Sequence, residues 1–306
     1  MARRDVSRWR GRPRIRRARR DCTIRMNRNE IIQTARELGL SPNKKLGQNF
    51  LCDAGMVRKI LSAAGVADGD RVLEIGPGLG ALTEGLLERA ASVTAVEVDA
   101  GFVRFLSQRF AGNERLKLIH GDFLKQVPEP GFTKAVSNLP YYCSSEALFR
   151  IAAEYRIPSV YVMLQREMAR RITAAPGSSE YGALSVSLGI YYRARTLFSI
   201  PPECFYPRPD VVSVFIGLDL RQDTALGGEA LALFHLLVKS AFWGRRKTLL
   251  KALAESPHIA LDRETVADVL AGMGLDSRIR GEDMSVADFI TLSERLREAA
   301  DAAAQG

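Results

Sequence analysis

The chain has 306 residues, 46% of them hydrophobic, which is enough to bury a substantial core and to build one large domain beside a small one. No apolar run reaches the ~20 residues needed to cross a bilayer. The four cysteines (Cys22, Cys52, Cys143, Cys204) contain no CxxC pair and the three histidines (His120, His235, His258) lie far apart, so the expectation is a soluble, cytoplasmic protein with no metal site.

The net charge of +9 is not spread evenly: residues 1–25 hold eleven arginines and two aspartates, a net of +9, which leaves the remainder at zero. This segment has few apolar residues and no helical periodicity, and reads as a disordered basic tail. Three readings fit it: an RNA-binding arm, an Arg-rich presequence lacking an amphipathic pattern, or sequence ahead of a true start at Met26. The last is favoured, because Met26-Asn-Arg-Asn-Glu30 opens a helical segment directly.

A helix is predicted over residues 29–39, with Ile31, Ile32, Ala35 and Leu38 on one side and Gly39 as its stop. A polar loop over 41–49 precedes an amphipathic helix over 56–64. The apolar strand 71–75 runs into Gly76-Pro-Gly-Leu-Gly80 and a helix over 81–88. Strand 92–97, helix 102–110, strand 116–120, a strand over 133–137 ending at Asn138, helix 146–153 and strand 159–164 follow. This alternation predicts a parallel, doubly wound α/β sheet. Residues 184–191 and 211–218 read as two further strands joined by a Pro-rich stretch, 201–209. Beyond Gly227 the pattern is helical, over 229–253, 263–271 and 286–297, with an Ala-rich end, 299–306, expected to fray. A boundary near Arg221 divides a Rossmann-like domain, 26–221, from a small C-terminal helical domain, 222–306.

The strand, Gly-rich loop and helix at 72–88 form a nucleoside-binding pattern. Glu97 lies about 20 residues past the first glycine at the end of the next strand, where a carboxylate can accept both hydroxyls of a ribose. The loop is GxGxG, Pro77 removes one backbone donor, and no Walker lysine is present, so a pyrophosphate fits poorly. S-adenosylmethionine, a nucleoside without phosphates, fits better. Asp122, just past the third strand, is placed to accept from an adenine amine or to cap a turn; Asp99 reads as a helix cap.

Asn138-Leu-Pro-Tyr-Tyr142 follows the fourth strand. An exocyclic amine needs two in-plane acceptors and a stacking surface. The side-chain oxygen of Asn138 and the carbonyl of Leu139 suit the first need, Tyr141 the second, and Pro140 stiffens the turn. A strand ending in an Asn-Xaa-Pro turn with two core tyrosines is the plainer alternative. Ligands of open α/β sheets bind at the carboxyl ends of the strands, and Gly76, Glu97, Asp122 and Asn138 each follow one of four successive strands, which favours the functional reading. Tyr142 has no assigned role.

With both parts located, the chain resembles the ribosomal RNA adenine N6-dimethyltransferase family. The resemblance is carried by Lys44-Lys-Leu-Gly-Gln-Asn-Phe-Leu51, Glu74-Ile-Gly-Pro-Gly-Leu-Gly80, Glu97, Gly121-Asp122, Asn138-Leu-Pro-Tyr141, Gln165-Arg-Glu167, Tyr181-Gly182 and Arg245-Arg-Lys-Thr-Leu249. It implies a class I S-adenosylmethionine methyltransferase sheet, with cofactor contacts at Asn49, Leu51, Gly76, Glu97, Asp122 and Asn138. It implies dimethylation of two adjacent adenosines in the 3′-terminal hairpin loop of small-subunit rRNA, within an immature ribosomal subunit, by a monomer. Relatives of the macrolide-resistance type, which act on large-subunit rRNA, usually carry Ile where this chain has Leu139. A non-catalytic assembly or transcription factor on the same fold is a further alternative, disfavoured by the intact Asn138–Tyr141, Glu97 and Asp122. The chain departs from the family pattern at Tyr142, Asp210, Val212 and Trp243-Gly244.

Loss of Asn138 is expected to abolish turnover, and no catalytic histidine or carboxylate is assigned, because the attacked nitrogen becomes acidic once alkylated. The folded body is neutral, so RNA affinity must come from local patches. Arg245-Arg246-Lys247, compact and following Phe242-Trp243, is the leading candidate. Lys44-Lys45, Arg166/Arg170/Arg171 and Arg193/Arg195 are others.

Overall fold

The computed structural model describes residues 28–37, 49–223, 226–244 and 246–305. The basic tail, Lys44-Lys45 and Arg245 lie outside them. The chain opens with α1 (Arg28–Glu37) and the two-residue strand β1 (Phe50–Leu51). Then α2 (Ala54–Ala63), β2 (Arg71–Ile75), α3 (Ala81–Leu87), β3 (Ser92–Glu97), α4 (Ala100–Arg109), β4 (Leu116–His120) and β5 (Lys134–Asn138) follow in alternation. Local sequence sets the boundaries: Asp53 caps α2 by accepting from Met56 N at 2.6 Å, and Asp99 caps α4 by accepting from Gly101 N at 2.7 Å. Helix α5 (Ser144–Arg150) ends in a wider π-turn, Ile151–Tyr155, and leads to β6 (Ser159–Gln165) and α6 (Arg166–Ile172).

Among the described residues the main sheet begins β4-β3-β2-β5-β6 and is extended beyond β6 by two later strands. These five are parallel, and the interior residues of β2, β3, β5 and β6 are buried on both faces, with Val72, Val93, Ala135 and Val160 all 0% exposed, whereas the edge strand β4 is only partly covered.

After α6 the structure departs from the predicted pattern. Residues 184–191 are not a strand: α7 (Ala183–Gly189) is a helix. The strand comes next, β7 (Tyr192–Ile200), followed by β8 (Phe205–Tyr206) and β9 (Ser213–Leu220). Strand β9 inserts between β6 and β7 and runs antiparallel to both, so the sheet is mixed and not wholly parallel. Strand β8 pairs with β1, with Phe50 opposite Tyr206 and Leu51 opposite Phe205, and this tethers the segment around Asn49 to the main body.

The single helix predicted over 229–253 is two, α8 (Gly228–Phe242) and α9 (Leu249–Ala254). The break holds Gly244, and Thr248 starts the second helix by accepting from Lys251 N through its hydroxyl. Helix α10 (Arg263–Gly272) precedes α11 (Val286–Gln305). The frayed end expected from Ala299 is instead the last turns of α11; alanine is the strongest helix former, and Arg297 pairs with Asp301 one turn on at 3.3 Å. The helical lobe has its own core, including Phe234, Leu237, Leu253, Leu270, Phe289 and Leu292, and draws in Tyr181, Val186 and Ile190 from before Arg221.

Candidate active site

The parallel register brings four strand ends to one level. Glu97 stands opposite His120, Ile75 opposite Val96, and Ile75 N donates to Ser137 Oγ at 2.8 Å. Gly76, Glu97, Asp122 and Asn138 emerge there, and one cavity is lined by all four together with Asn49, Leu51, Leu139, Pro140 and Tyr141.

The loop after β2 is held by its glycines. Gly76 has φ +66° and Gly78 φ +56°, a region that other residues enter at a cost. A Cβ at Gly76 would lie 3.0 Å from Pro140 Cγ, and one at Gly78 would lie 3.1 Å from the Phe50 ring. The glycines therefore do more than turn the chain. They let the loop press against the Asn138–Tyr141 turn on one side and the Asn49–Leu51 segment on the other.

Glu97 is 4% exposed at the end of β3. Its Oε2 accepts from Gly78 N at 3.0 Å and its Oε1 from Asp99 N at 2.9 Å. A carboxylate has about four acceptor positions, so each oxygen keeps capacity for a ligand hydroxyl. Burial raises its pKa above the usual range, with the two backbone donors opposing that rise. Asp122 accepts from Leu124 N at 2.9 Å and so caps a short 3-10 turn, Phe123–Lys125, while still lining the cavity. The cap reading and the cavity position are compatible. Asp99 caps α4, as its position predicts.

In the turn after β5, Asn138 Nδ2 donates to the carbonyl oxygen of Asn49 at 2.9 Å. That bond uses one of the amide's two N–H donors and orients the side chain, whose oxygen is its acceptor. The Leu139 side chain is buried at 1% exposure. The Pro140 carbonyl accepts from Ser144 Oγ at 2.8 Å, which fixes the turn to the start of α5. Tyr141 is half-buried, with its hydroxyl 2.9 Å from Ser213 Oγ on β9. Tyr142 is 50% exposed and lines the same cavity. Its hydroxyl is pushed up to about 12, by burial first and then by Cys143, Asp122 and Glu97.

Sequence reasoning missed Glu74. It lines the cavity at 2% exposure and accepts from Thr83 Oγ1 at 2.7 Å. Burial, with a smaller contribution from Glu97, pushes its pKa up to about 8, so it carries a proton at neutral pH. The available signal was a carboxylate inside an otherwise apolar strand, Val72-Leu-Glu-Ile75. Phe102 and Val98 also line the cavity and were not singled out.

Of the basic segment, Arg246 and Lys247 do not line this cavity. Arg246 is exposed. Lys247 is engaged: its Nζ is 3.0 Å from Glu255 Oε2 and 3.8 Å from the Trp243 ring centroid. Among the described residues no helix is long and apolar enough to cross a membrane.

The family described as ribosomal RNA adenine dimethylase matches residues 39–297 of the chain. The chain belongs to this family. It is 39% identical over 281 residues to the ribosomal RNA small subunit methyltransferase A of Moorella thermoacetica, covering 87% of this chain and 96% of that one. It is 36% identical over 289 residues to the protein of that name from Bacillus licheniformis, covering 91% and 98%. Among solved structures it resembles a dimethyladenosine transferase from Plasmodium falciparum, with a TM-score of 0.72, 25% identity and coverage of 82% and 98%. It also resembles the 23S rRNA methyltransferase ErmE, with a TM-score of 0.64, 26% identity and coverage of 81% and 100%. As a ribosomal RNA adenine dimethylase, the chain is a Rossmann-like methyltransferase that uses S-adenosylmethionine.

Proposed function

We propose that this dimethylase places two methyl groups on N6 of each of two adjacent adenosines in the 3′-terminal hairpin loop of small-subunit rRNA. Its substrate is an immature small ribosomal subunit, and it works as a cytoplasmic monomer. The observation that carries the catalytic assignment is the Asn138 amide, oriented by the Asn49 carbonyl with its oxygen left to accept. The choice of subunit is supported by the small-subunit methyltransferases at 36–39% identity, closer than the 26% of the large-subunit enzyme.

The residues present suit S-adenosylmethionine. Glu97 keeps acceptor capacity for a diol, Asp122 offers a carboxylate for an amine, and Gly76, Asn49 and Leu51 complete the wall. Pro77, without an N–H, leaves the loop poorly equipped for phosphate. The bound cofactor supplies an electrophilic methyl carbon. The chain's own residues prepare the nucleophile. The Asn138 side-chain oxygen and the Leu139 carbonyl accept the two hydrogens of the adenine amine. Its nitrogen becomes more tetrahedral, and its lone pair is withdrawn from the ring. Pro140, clamped by Ser144 and by Gly76, keeps the acceptors in place, so that little reorganisation is needed during reaction. The Tyr141 ring stacks on the base, anchored through its hydroxyl to Ser213. The proton leaves after alkylation without a dedicated base. The target base must be turned out of its RNA stack to reach these groups. Arg245, Arg246 and Lys247 contribute RNA contacts beyond the cavity.

The test is incubation with methyl-labelled cofactor and, separately, unmethylated small subunits, large subunits, naked rRNA and DNA. Label in the small subunit is the expected result. Preferential labelling of large subunits or DNA contradicts the proposal.

A further inference from the structure

A second pocket opens between α5, α7 and the end of α8, lined by Phe149, Tyr191, His235, Lys239, Trp243 and His258 among others. Its walls are mainly aromatic. The Tyr191 and His235 rings stack at 5.9 Å between centroids, and the tyrosine oxygen is 3.1 Å from His235 Nε2. Burial holds His235 below the ordinary imidazole range. Trp243 is 40% exposed, yet it is not a loose side chain. Its indole N–H donates to the Ala252 carbonyl at 2.8 Å, and the Lys247 ammonium stands 3.8 Å from its ring centroid. A large flat ring fixed in this way loses little rotamer freedom when something stacks on it. Lys239 is exposed at the edge.

This pocket is continuous with a groove that leads toward the methyl-transfer cavity. Phe149, Ala183 and Ser187 line both the pocket and the groove, whose far end holds Gln165 and Arg171. Gln165 ends β6, two residues beyond Met163, which stands opposite Asn138. Helix α6 starts there and carries Arg166, Arg170 and Arg171, all exposed and, among the described residues, without an ion-pair partner. Three other cations of the chain are paired: Arg193 with Asp223, Arg195 with Asp219 and Lys247 with Glu255. Exposed cations thus flank the groove at both ends, the α6 arginines at the catalytic end and Lys239 beside the aromatic rings, with Glu167 among the groove's lining.

We propose that the Trp243 pocket holds an unstacked base of the substrate RNA, separate from the adenine being methylated, while the α6 arginines hold phosphates of the strand between them. The proposal rests on the reading of the chain as an RNA methyltransferase. Single-stranded RNA is gripped in this way, with bases on aromatic platforms and the backbone in a basic groove. Trp243 is the platform and the His258 and Tyr191–His235 edges supply polar atoms to the base.

The chain has two tryptophans, Trp9 and Trp243, so Trp9→Phe leaves Trp243 as its single indole reporter. This variant is titrated with a single-stranded 12-mer of adenosine, with binding followed independently by the anisotropy of a fluorescein-labelled copy. Trp243 emission is expected to fall in step with binding, and to stay unchanged when a 12-mer of abasic nucleotides binds. Trp243→Leu weakens adenosine 12-mer binding by about tenfold or more, the scale of one lost stacking contact, while Trp243→Phe retains most of it. Thermal melts confirm that both variants are folded. Binding without a change in Trp243 emission, equal binding by Trp243→Leu, or no binding of the 12-mer overturns the proposal. Methyl transfer to small subunits is measured on the same Trp9→Phe preparation. Intact transfer with a silent Trp243 removes the second pocket and leaves the enzymatic reading standing.

Discussion

Asn138 Nδ2 reaches across 89 positions of sequence to the carbonyl oxygen of Asn49 at 2.9 Å. The acceptor of this bond is backbone, and that backbone is held in turn by the β1–β8 ladder and by Cys52 N donating to the Cys204 carbonyl at 2.8 Å. The orientation of one catalytic amide therefore depends on a segment before the sheet and another after its sixth strand. Replacing Asn138 by Ala removes the acceptor and should lower kcat by about 10²–10³-fold, the scale for one preorganised polar group. Asn138→Asp keeps an oxygen but sets a carboxylate against the Asn49 carbonyl, and should also lose at least about tenfold in kcat. Steady-state kinetics on both variants check this, with near-normal kcat for Asn138→Ala counting against the assignment.

Gly76→Ala tests the contact between the cofactor loop and the catalytic turn. The residue sits at φ +66°, where a side chain costs about 1–2 kcal/mol, and the new methyl would press on Pro140 at 3.0 Å. Stability should fall by about that amount. Because the strain is delivered to the turn, kcat should fall as well as cofactor affinity. A variant with weakened cofactor binding and unchanged kcat would show that Pro140 does not need to be clamped.

Tyr141 separates a ring from a hydroxyl. Tyr141→Phe loses the bond to Ser213 and should cost about 1 kcal/mol of stability with kcat little altered. Tyr141→Ala should lose most of kcat. If the two variants show equal kcat, the ring has no stacking role and the half-exposed Tyr142 takes its place as the candidate.

The pH dependence of stability should carry the signature of Glu74. Its folded pKa is about 8 against an ordinary value near 4.5, so the folded state holds an extra proton between those limits. The associated stability is fully present below about pH 4.5 and is lost as pH rises toward 8. Within that window the slope approaches one proton, about a tenfold change in the folding constant per pH unit. Burial moves Glu97 in the same direction. Glu74→Gln, which is neutral throughout, should flatten the curve and gain on the parent protein as pH rises. Urea titrations from pH 5 to 8.5 measure this, and a slope unchanged by Glu74→Gln contradicts it.

The first half of the chain was legible because each parallel strand there ends in a residue with its own chemical signature, as with Gly76, Glu97 and Asn138. Helix α7 was misread for a physical reason. Leu184-Ser-Val-Ser-Leu188 alternates like a strand, but the helix is buried on two sides: Leu184 and Leu188 pack on the sheet, while Val186 and Ile190 pack into the helical lobe. Two apolar stripes on one helix mimic period two. Strand β7 escaped notice because it is an edge, with Arg193 and Arg195 turned outward into ion pairs and a bulge between Thr196 and Phe198. Glu74 went unnoticed because a lone carboxylate in a strand has no spacing partner to mark it. The engagement of Lys247 by Glu255 and Trp243 is likewise a tertiary fact, eight residues apart in one case and dependent on the α8–α9 break.

The most direct measurement is nucleoside mass spectrometry of small-subunit rRNA after complete reaction of unmethylated subunits with the protein and S-adenosylmethionine. Two N6,N6-dimethyladenosines per subunit, adjacent in the 3′-terminal hairpin loop and absent when Asn138→Ala is used, are predicted. Methylation elsewhere, a product that stops at monomethyladenosine, or full product with Asn138→Ala would contradict the account.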